Sequence, residues 1–206
     1  MKSIIYTLII ISLLSCNFKE KDSIGNQKKI INNSVIKDIE KYYQDDYGKE
    51  FKLFKTATDS VIDIYYKNIP INKDDYVGIQ MRIEIPKKGK GILYGDLNND
   101  KIKDIIVTVN TQGGGAGGNV WWNDIFVFLK KGDKYSLSTV NTNWDISGCD
   151  RGFVFIEEIK ENIIKGTSSC YSEDDGRCCP SLTYETRLQL LNNKIVTINK
   201  QQIKKQ

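Results

Sequence analysis

The sequence predicts an α+β fold dominated by β-strands, in which one N-terminal helix packs on an antiparallel, meandering sheet. Two observations support this prediction. Apolar residues over 34–43 recur at helical spacing, whereas segments from residue 61 onward alternate apolar and polar residues with a period of two. Short turn-like segments separate consecutive strands, and strands joined in this way pair antiparallel. We therefore expect a single β-rich domain over residues 34–206.

The helix is predicted where Val35, Ile36, Ile39, Tyr42 and Tyr43 share one helical face. A helix begins well at a residue whose side chain accepts a hydrogen bond from the first free backbone amides, and it ends well at glycine. Those preferences predict an N-cap at Ser34 and a stop at Gly48.

The strands follow in order. Residues 61–66 and 77–85 alternate in the manner of half-buried strands, with Met81 and Ile83 on one face and Arg82 on the other. Turns at 130–134, 160–162 and 192–193 predict three hairpins. Further strands are predicted at 91–94, 105–109, 120–129, 135–140, 153–159, 163–169, 182–191 and 194–198.

One loop has the spacing of a metal site. Asp96, Asn98, Asp100 and Asp104 fall at positions one, three, five and nine of this loop, and the Ile102 carbonyl is available at position seven. Calcium binds oxygen ligands at alternating positions of a tight loop, so these five residues are the predicted ligands of a Ca²⁺ cofactor. The alternative is an Asn/Asp-rich turn that enters a strand and needs no metal.

The run Gly95-Asp-Leu-Asn, followed by Asp104-Ile-Ile-Val, resembles the calcium loops of FG-GAP/VCBS repeats, and more loosely those of dockerins and EF-hands. The sequence departs from that pattern at position six, where Lys101 replaces the usual glycine. A non-glycine residue there costs about 1 kcal/mol of strain and brings a cation near the ion. The chain has one copy of the loop, so the resemblance does not imply a propeller.

A longer series of motifs, over residues 91–199, also resembles other proteins. The loop, the glycine-rich segment 113–118, an aromatic strand and Cys178-Cys179-Pro180-Ser181 resemble, in that order, a group of exported bacterial proteins of uncharacterised function. This resemblance implies a single domain over residues 91–199 and no particular activity.

The N-terminus carries an export signal. Lys2 precedes an apolar stretch at 4–14, which is shorter than the about 20 residues that cross a bilayer. Leu13-Leu14-Ser15-Cys16 resembles a bacterial lipobox. By that resemblance, residues 1–15 are removed as a signal peptide and Cys16 is lipidated, which makes the membrane a partner. The alternative is an ordinary secretory signal beside a coincidental cysteine.

Residues 16–33 are polar and predict a tether between lipid and domain. Asn17 occupies the position where aspartate favours inner-membrane retention in enteric bacteria. We therefore expect the chain to be lipid-anchored in the cell envelope, at the outer membrane.

Four cysteines remain, Cys149, Cys170, Cys178 and Cys179, and an even number in an exported domain predicts disulfides. The hairpin around 160–162 brings Cys149 and Cys170 to the same end, which favours their pairing. Cys178 and Cys179 then form a vicinal disulfide or stay as free thiols. Crossed pairings remain open.

Composition excludes several classes of function. The chain has no histidine, which excludes catalytic triads based on histidine and His-ligated zinc. Its formal net charge of +4 is too mild to predict a nucleic-acid partner. The glycine-rich segment lacks the Gly-Lys-Ser/Thr ending of a phosphate-binding loop.

A candidate ligand surface lies near the glycine-rich segment. Trp121 and Trp122 are adjacent on a strand and must point to opposite faces, so one of them is expected in the core. The other, with Trp144, is a candidate platform for sugar or peptide, and partial burial is the alternative. Flexible glycines allow close approach of a partner. The predicted surface is therefore Gly113, Gly114, Gly115, Trp121, Trp122 and Trp144.

No residue is predicted to be catalytic. The paired acids Glu157-Glu158 and the segment 173–175 are expected at the solvated surface. The predicted function is a non-catalytic binding or structural module, stiffened by calcium, that contacts an envelope protein or glycan. The alternative is a hydrolase of envelope glycan or peptide that uses carboxylates whose pairing the sequence does not reveal.

Overall fold

The computed structural model describes residues 31–55, 60–66, 79–113, 121–176 and 179–203. The predicted signal peptide, Cys16 and most of the tether lie outside the described residues, as do Gly114, Gly115 and Cys178. The described elements, in chain order, are α1 (Asn33–Tyr47), β1 (Phe51–Lys55), β2 (Val61–Tyr66), β3 (Ile79–Glu84), β4 (Ile92–Gly95), β5 (Asp104–Gly113), β6 (Trp121–Lys131), β7 (Lys134–Thr142), β8 (Gly152–Lys160), β9 (Ile163–Cys170), β10 (Leu182–Leu191) and β11 (Lys194–Gln202).

The strands form two antiparallel sheets. The large sheet has the order β1-β2-β3-β5-β6-β7, with β4 paired to β5, and the small sheet has the order β11-β10-β9-β8. The prediction of a β-dominated fold with antiparallel strands and one N-terminal helix is confirmed. The division into two sheets was not predicted; it falls at the turns of residues 143–151, between β7 and β8.

Helix α1 begins earlier than its predicted N-cap. Asn32 is the N-cap, because its Oδ1 accepts a hydrogen bond from the Ser34 backbone N–H at 3.0 Å. The prediction of Ser34 at that position is wrong: asparagine caps as well as serine does, and it comes first along the chain. At the other end the Gly48 N–H donates to the Gln44 carbonyl, as a helix stop should. Among the described residues, no helix has the length and apolarity that a membrane crossing requires.

Two buried clusters of apolar side chains lie on opposite faces of β5. Ile105 and Val107 belong to the first cluster, and Ile106 belongs to the second, as the alternation of a strand requires. The first cluster contains side chains of α1 and of the large sheet. The second joins the large sheet to the small one. Members of the second from the small sheet are Val154, Ile164, Leu188 and Ile195.

Strand β4 of the large sheet contacts strand β8 of the small sheet. A Cβ added to Gly95 would lie 2.3 Å from Cγ2 of Ile159, so only glycine fits at the end of β4. This contact fixes the start of the Asp/Asn-rich loop against the small sheet.

Candidate functional site

The Asp/Asn-rich loop connects Gly95, the last residue of β4, to Asp104, the first residue of β5. Two residues in it have left-handed backbone conformations: Asn99 with φ 64° and Lys101 with φ 66°. Asparagine tolerates this region, whereas lysine is strained there. Lys101 therefore adopts the conformation for which the resembling calcium loops use glycine.

The side chains at the start of the loop bind its own backbone. Asp96 Oδ2 accepts a hydrogen bond from the Lys101 N–H at 2.8 Å, and Asp96 Oδ1 accepts one from the Asp100 N–H at 3.2 Å. Asp100 Oδ1 accepts from the Ile102 N–H at 2.8 Å. The Asn98 side-chain amide donates to Asp100 Oδ2 at 3.0 Å. These bonds close the loop into a set of Asx-type turns.

Asp104 has a different role from the other acids. Its side chain is fully buried, and its two oxygens accept hydrogen bonds from the Leu97 N–H and the Lys130 N–H, each at 2.9 Å. Burial raises the pKa of this carboxyl above its usual range, although the two hydrogen bonds oppose the shift; the nearby charges of Asp100 and Asp96 raise it further. Asp104 therefore connects the loop to β6.

The donor set of the loop suits calcium in chemical type, since every candidate ligand offers a hard oxygen. Its geometry is less favourable. In the part of the chain that the structure describes, which includes the whole loop, no three His, Cys, Asp or Glu side chains come together as a metal site. Asn98 Oδ1 also accepts a hydrogen bond from the Asp100 N–H. The loop is thus closed by its own hydrogen bonds, and calcium binding stays a prediction.

A second feature is a group of four aromatic rings, which we call the aromatic patch: Trp121, Trp144, Phe153 and Phe155. Phe153 is central, with its ring centroid 5.2 Å from Trp121, 5.7 Å from Trp144 and 5.3 Å from Phe155. Trp121 also stacks on Phe155 at 6.0 Å. Trp144 is 38% exposed and Phe155 is 44% exposed. Four rings that reach solvent together form a surface suited to stacking.

Trp122 lies on the other face of β6 from Trp121. Its side chain packs against the first buried cluster, and its Nε1–H donates to Asp124 Oδ1 at 3.1 Å. It therefore does not belong to the aromatic patch. Phe153 and Phe155, which do belong to it, were not predicted. Their spacing of two in β8, which puts them on one face, was the available signal.

Gly113, the last residue of β5, is the part of the predicted glycine surface that the structure describes. It has φ 110°, and a Cβ there would lie 2.4 Å from the Gln80 carbonyl oxygen. Glycine is therefore required at this position by the close approach of β3. The position of Gly113 does not place Gly114 or Gly115, which lie outside the described residues.

A buried polar network around Asp124 was not predicted from the sequence. Its Oδ2 accepts hydrogen bonds from the hydroxyls of Tyr43, at 2.6 Å, and Thr111, at 3.0 Å, in addition to the Trp122 bond to Oδ1. Burial raises the pKa of the Asp124 carboxyl, and the three hydrogen bonds oppose this shift. Burial also raises the pKa of the Tyr43 hydroxyl, with the charge of Asp124 as the next cause. The signal was an acid, next to Asn123, in a strand whose other residues from Trp121 to Leu129 are apolar.

The structure joins Cys149 and Cys170 in a disulfide, with their Cα atoms 5.7 Å apart at one end of the β8–β9 hairpin. Cys179 is exposed. Because Cys178 lies outside the described residues, the state of the second pair stays a prediction.

The carboxylates considered for catalysis lie in separate places, with Glu157 and Glu158 exposed and Asp175 half-buried. Glu157 accepts a hydrogen bond from Thr167 Oγ1 at 2.6 Å, and Glu158 pairs with Lys165 at 3.2 Å, both at the surface of the β8–β9 hairpin. Asp175 accepts backbone bonds from Ser172 and Ser181, which lower the pKa of its carboxyl to about 2.

These contacts organise the surface and its loops, and the aromatic patch is the described feature best suited to recognition. Neither a family model, nor a curated protein, nor a solved structure matches this chain.

Proposed function

We propose that this chain is a lipid-anchored module of the bacterial envelope that binds a glycan or protein partner without catalysis. The observation that carries the proposal is the aromatic patch, in which Trp144 and Phe155 expose more than a third of their surface. Large apolar side chains grouped at a surface are a feature of recognition sites. The lipobox-like sequence at Cys16 supplies the location.

The patch suits a ligand with flat apolar faces. Trp121 and Phe153 are half-buried and hold the outer rings of Trp144 and Phe155 in fixed positions, so little side-chain freedom is lost when a ligand binds. Sugar rings present C–H groups on one face and polar hydroxyls at the rim, which suits stacking on such rings. An envelope glycan is therefore the ligand we favour.

Co-sedimentation with isolated peptidoglycan sacculi tests this proposal. The full chain carrying Cys16→Ser avoids membrane attachment. Trp144→Ala should weaken binding roughly tenfold, which corresponds to the loss of one stacking contact. Leu137→Ala is the matched control, because Leu137 is also 38% exposed but lies on β7. Equal binding by both variants, or no binding by the parent chain, would contradict the proposal.

Membrane attachment is tested separately. Acylation of Cys16 by more than one chain would anchor the protein stably, whereas a single chain would not. Cys16→Ser in the full chain should move the protein from the membrane fraction to the soluble fraction. If the variant stays in the membrane fraction, the lipid anchor is wrong.

We also propose that calcium stabilises the Asp/Asn-rich loop. Oxygens of Asp96, Asn98 and Asp100, the Ile102 carbonyl and Asp104 would hold the ion, which would neutralise the acids gathered between β4 and β5. The support is the spacing of the candidate oxygen ligands along the loop and the left-handed backbone conformation of Lys101.

Thermal unfolding with and without millimolar calcium tests this part of the proposal. Calcium should raise the melting temperature of the parent chain, since an ion bound to the folded state stabilises it. Asp100→Asn keeps an acceptor for the Ile102 N–H but removes a charge, and it should reduce the calcium effect; Asp133→Asn, in the exposed β6–β7 turn, should not. Absence of any calcium effect on the parent would sink the proposal.

We further infer that α1 packs on the large sheet and holds the tether against the domain. The buried side chains Val35, Ile39 and Tyr43 of α1 share a cluster with strand residues, and the Tyr42 ring meets Phe126 edge-on at 5.1 Å. Tyr43→Ala should therefore destabilise the β-domain as well as the helix.

A further inference from the structure

A row of side-chain amides lies on β5 and β6, beside the aromatic patch. Gln112 Nε2 donates a hydrogen bond to Asn110 Oδ1 at 2.9 Å, and Asn110 Nδ2 donates one to Asn123 Oδ1 at 3.3 Å. We call Asn110, Gln112 and Asn123 the amide row. None of the sites described above includes it.

Strand pairing places the amide row on the face of the large sheet that carries Trp121. Gln112 lies directly opposite Trp121 in the β5–β6 register, and Asn110 lies opposite Asn123. Residues opposite each other in an antiparallel pair have their side chains on one face, with Cβ atoms about 5 Å apart. Gln112 is therefore a polar neighbour of Trp121.

The inner end of the row is joined to the segment that carries the other tryptophan of the patch. The Asn123 N–H donates to Asn143 Oδ1 at 2.9 Å, and the Asn143 N–H donates to the Asn123 carbonyl, also at 2.9 Å. Asn143 directly precedes Trp144 in the chain. The amide row thus connects the segments of Trp121 and Trp144.

Gln112 is the member of the row that a ligand can reach. It is exposed, whereas Asn110 is half-buried and Asn123 is buried. A glutamine amide has two N–H donors and a carbonyl acceptor, and the row uses one N–H of Gln112. In the described part of the chain, this side chain makes no other hydrogen bond. An acceptor and a donor are therefore available side by side.

The charge next to the row is already balanced. Arg82 of β3 lies opposite Gln112 on the other side of β5, and its guanidinium donates two hydrogen bonds to the Asp63 carboxylate. The amides of the row carry no charge themselves. The row therefore suits neutral polar groups better than an ion.

A sugar ring carries the groups that this arrangement needs. Its C–H groups stack on aromatic rings, and its edge carries hydroxyls, or a hydroxyl and an acetamido N–H, on adjacent carbon atoms. One of these groups donates to Gln112 Oε1 while its neighbour accepts from Gln112 Nε2. Aromatic walls with a few placed polar groups are the usual composition of ligand sites.

We propose that Gln112 determines which glycans bind the aromatic patch, by hydrogen-bonding two adjacent polar substituents of the sugar ring that stacks there. This proposal rests on the glycan binding proposed above and narrows the ligand to uncharged sugars with neighbouring hydroxyl or acetamido groups. Asn110 and Asn123 are positioning residues. They fix the orientation of the Gln112 amide before the ligand arrives, so less side-chain freedom is lost on binding.

Co-sedimentation of the full chain carrying Cys16→Ser with isolated peptidoglycan sacculi tests the role of Gln112. Gln112→Ala should bind roughly tenfold more weakly, through the loss of two hydrogen bonds between neutral groups. Gln201→Ala is the matched control, because Gln201 is also exposed but lies on β11, at the edge of the small sheet opposite β8. It should bind as the parent chain does.

Nile red, a neutral apolar dye, separates stacking from hydrogen bonding. Dye binding should fall in Trp144→Ala and stay unchanged in Gln112→Ala. Equal loss of sacculi binding and dye binding in Gln112→Ala would overturn the proposal, because the substitution would then have disturbed the patch itself. Gln112→Met keeps the length of the side chain without the amide and should behave as Gln112→Ala does. Circular dichroism melting checks that each variant folds.

Competition identifies the part of the sacculi that is bound. A soluble tetramer of β-1,4-linked N-acetylglucosamine should release the parent chain from sacculi, and peptides released from the same sacculi should not. Release by the peptides alone would overturn the sugar class. Sacculi binding that is lost in Trp144→Ala but unchanged in Gln112→Ala rejects only the role of Gln112. No sacculi binding by the parent chain rejects the proposed function as well.

Discussion

Tyr43 of α1 donates its hydroxyl hydrogen bond to Asp124 of β6 at 2.6 Å, across 81 residues of sequence. Both side chains are buried, with 1% of Tyr43 and 7% of Asp124 exposed. A buried carboxylate needs hydrogen-bond donors because it has lost its hydration, and Tyr43, Thr111 and Trp122 provide them. The network therefore joins the helix to two strands through the Asp124 carboxyl, and loss of any of its hydrogen-bond donors should destabilise the folded state.

Tyr43→Phe tests how much the Tyr43–Asp124 hydrogen bond contributes to stability. The variant keeps the ring but leaves Asp124 with two donors, so we expect a loss of about 1.5–3 kcal/mol in the free energy of unfolding, as for a hydrogen bond to a charged group. Tyr135→Phe is the control, because its hydroxyl makes a long 3.4 Å bond to the Lys103 carbonyl at the surface. Urea unfolding gives both values. A change below about 0.5 kcal/mol in Tyr43→Phe would contradict the role of the network.

The pH dependence of stability follows from the raised pKa of Asp124. The folded state keeps the proton at pH values where the unfolded chain has released it, so the contribution of this group is present below the unfolded pKa of about 3.9 and falls as the pH rises through the folded pKa. The difference in unfolding free energy between the parent chain and Asp124→Asn should therefore decrease upward from about pH 4 and then level off.

Urea unfolding of both chains between about pH 4 and pH 7 measures this difference. One proton limits the slope to about 1.4 kcal/mol per pH unit. The pKa of Asp104 is raised in the same direction, but that group is present in both chains and cancels. A difference that grows with pH, or that does not depend on it, would show that Asp124 is not the titrating group.

Local pattern was enough to predict most strands, because period-two alternation is decided by neighbouring residues. Residues 61–66 were predicted as a strand with the bounds of β2. Strand β1 (Phe51–Lys55) was missed, since the adjacent apolar residues Leu53 and Phe54 break the period-two alternation of its sequence. The second sheet was missed because the alternation of apolar and polar residues shows that a segment is a strand but does not show which sheet that strand joins. The nearly continuous burial of β5 and β6 is the mark of strands covered on both faces.

The candidate sites differ in the sequence separation of the residues that form them. The Asp/Asn-rich loop was found from its spacing, since its side chains bind backbone within a few residues of themselves. The Asp124 network and the aromatic patch combine residues from separate elements. Tyr43 and Asp124 are 81 residues apart in the sequence. Trp121 lies on the large sheet and contacts Phe153 on the small sheet. Such sites depend on tertiary packing, which single-sequence patterns do not contain.

An ion pair between neighbouring strands, with its acid buried and its arginine partly exposed, gives a third prediction. Arg82 of β3 donates two hydrogen bonds to Asp63 of β2, from Nε to Oδ1 at 2.7 Å and from Nη2 to Oδ2 at 2.9 Å. Asp63 is 4% exposed, so Arg82→Ala would leave a buried charge without its counterion and cost about 3–5 kcal/mol. Arg187→Ala is the control, because its pair with Glu185 is long, 3.7 Å, and about half exposed on both sides; we expect at most about 1 kcal/mol there.

Urea unfolding of the two arginine variants makes this comparison. Replacement of both partners of the buried pair by valine should be far less costly than Arg82→Ala, since it leaves no unpaired charge. Equal losses of unfolding free energy in Arg82→Ala and Arg187→Ala would show that the Arg82–Asp63 pair contributes no more to stability than an exposed pair.

The pairing of Cys149 with Cys170 gives the last prediction. The bond closes a loop of 21 residues, so its removal should cost about 3 kcal/mol through the entropy of the unfolded chain. Cys149→Ala/Cys170→Ala should show this loss in urea under non-reducing conditions. Cys178→Ala/Cys179→Ala should show much less, because adjacent cysteines close no loop if they pair with each other. Crossed pairings would instead make both double variants lose similar stability, and peptide mapping without reduction would then recover Cys149 linked to Cys178 or Cys179.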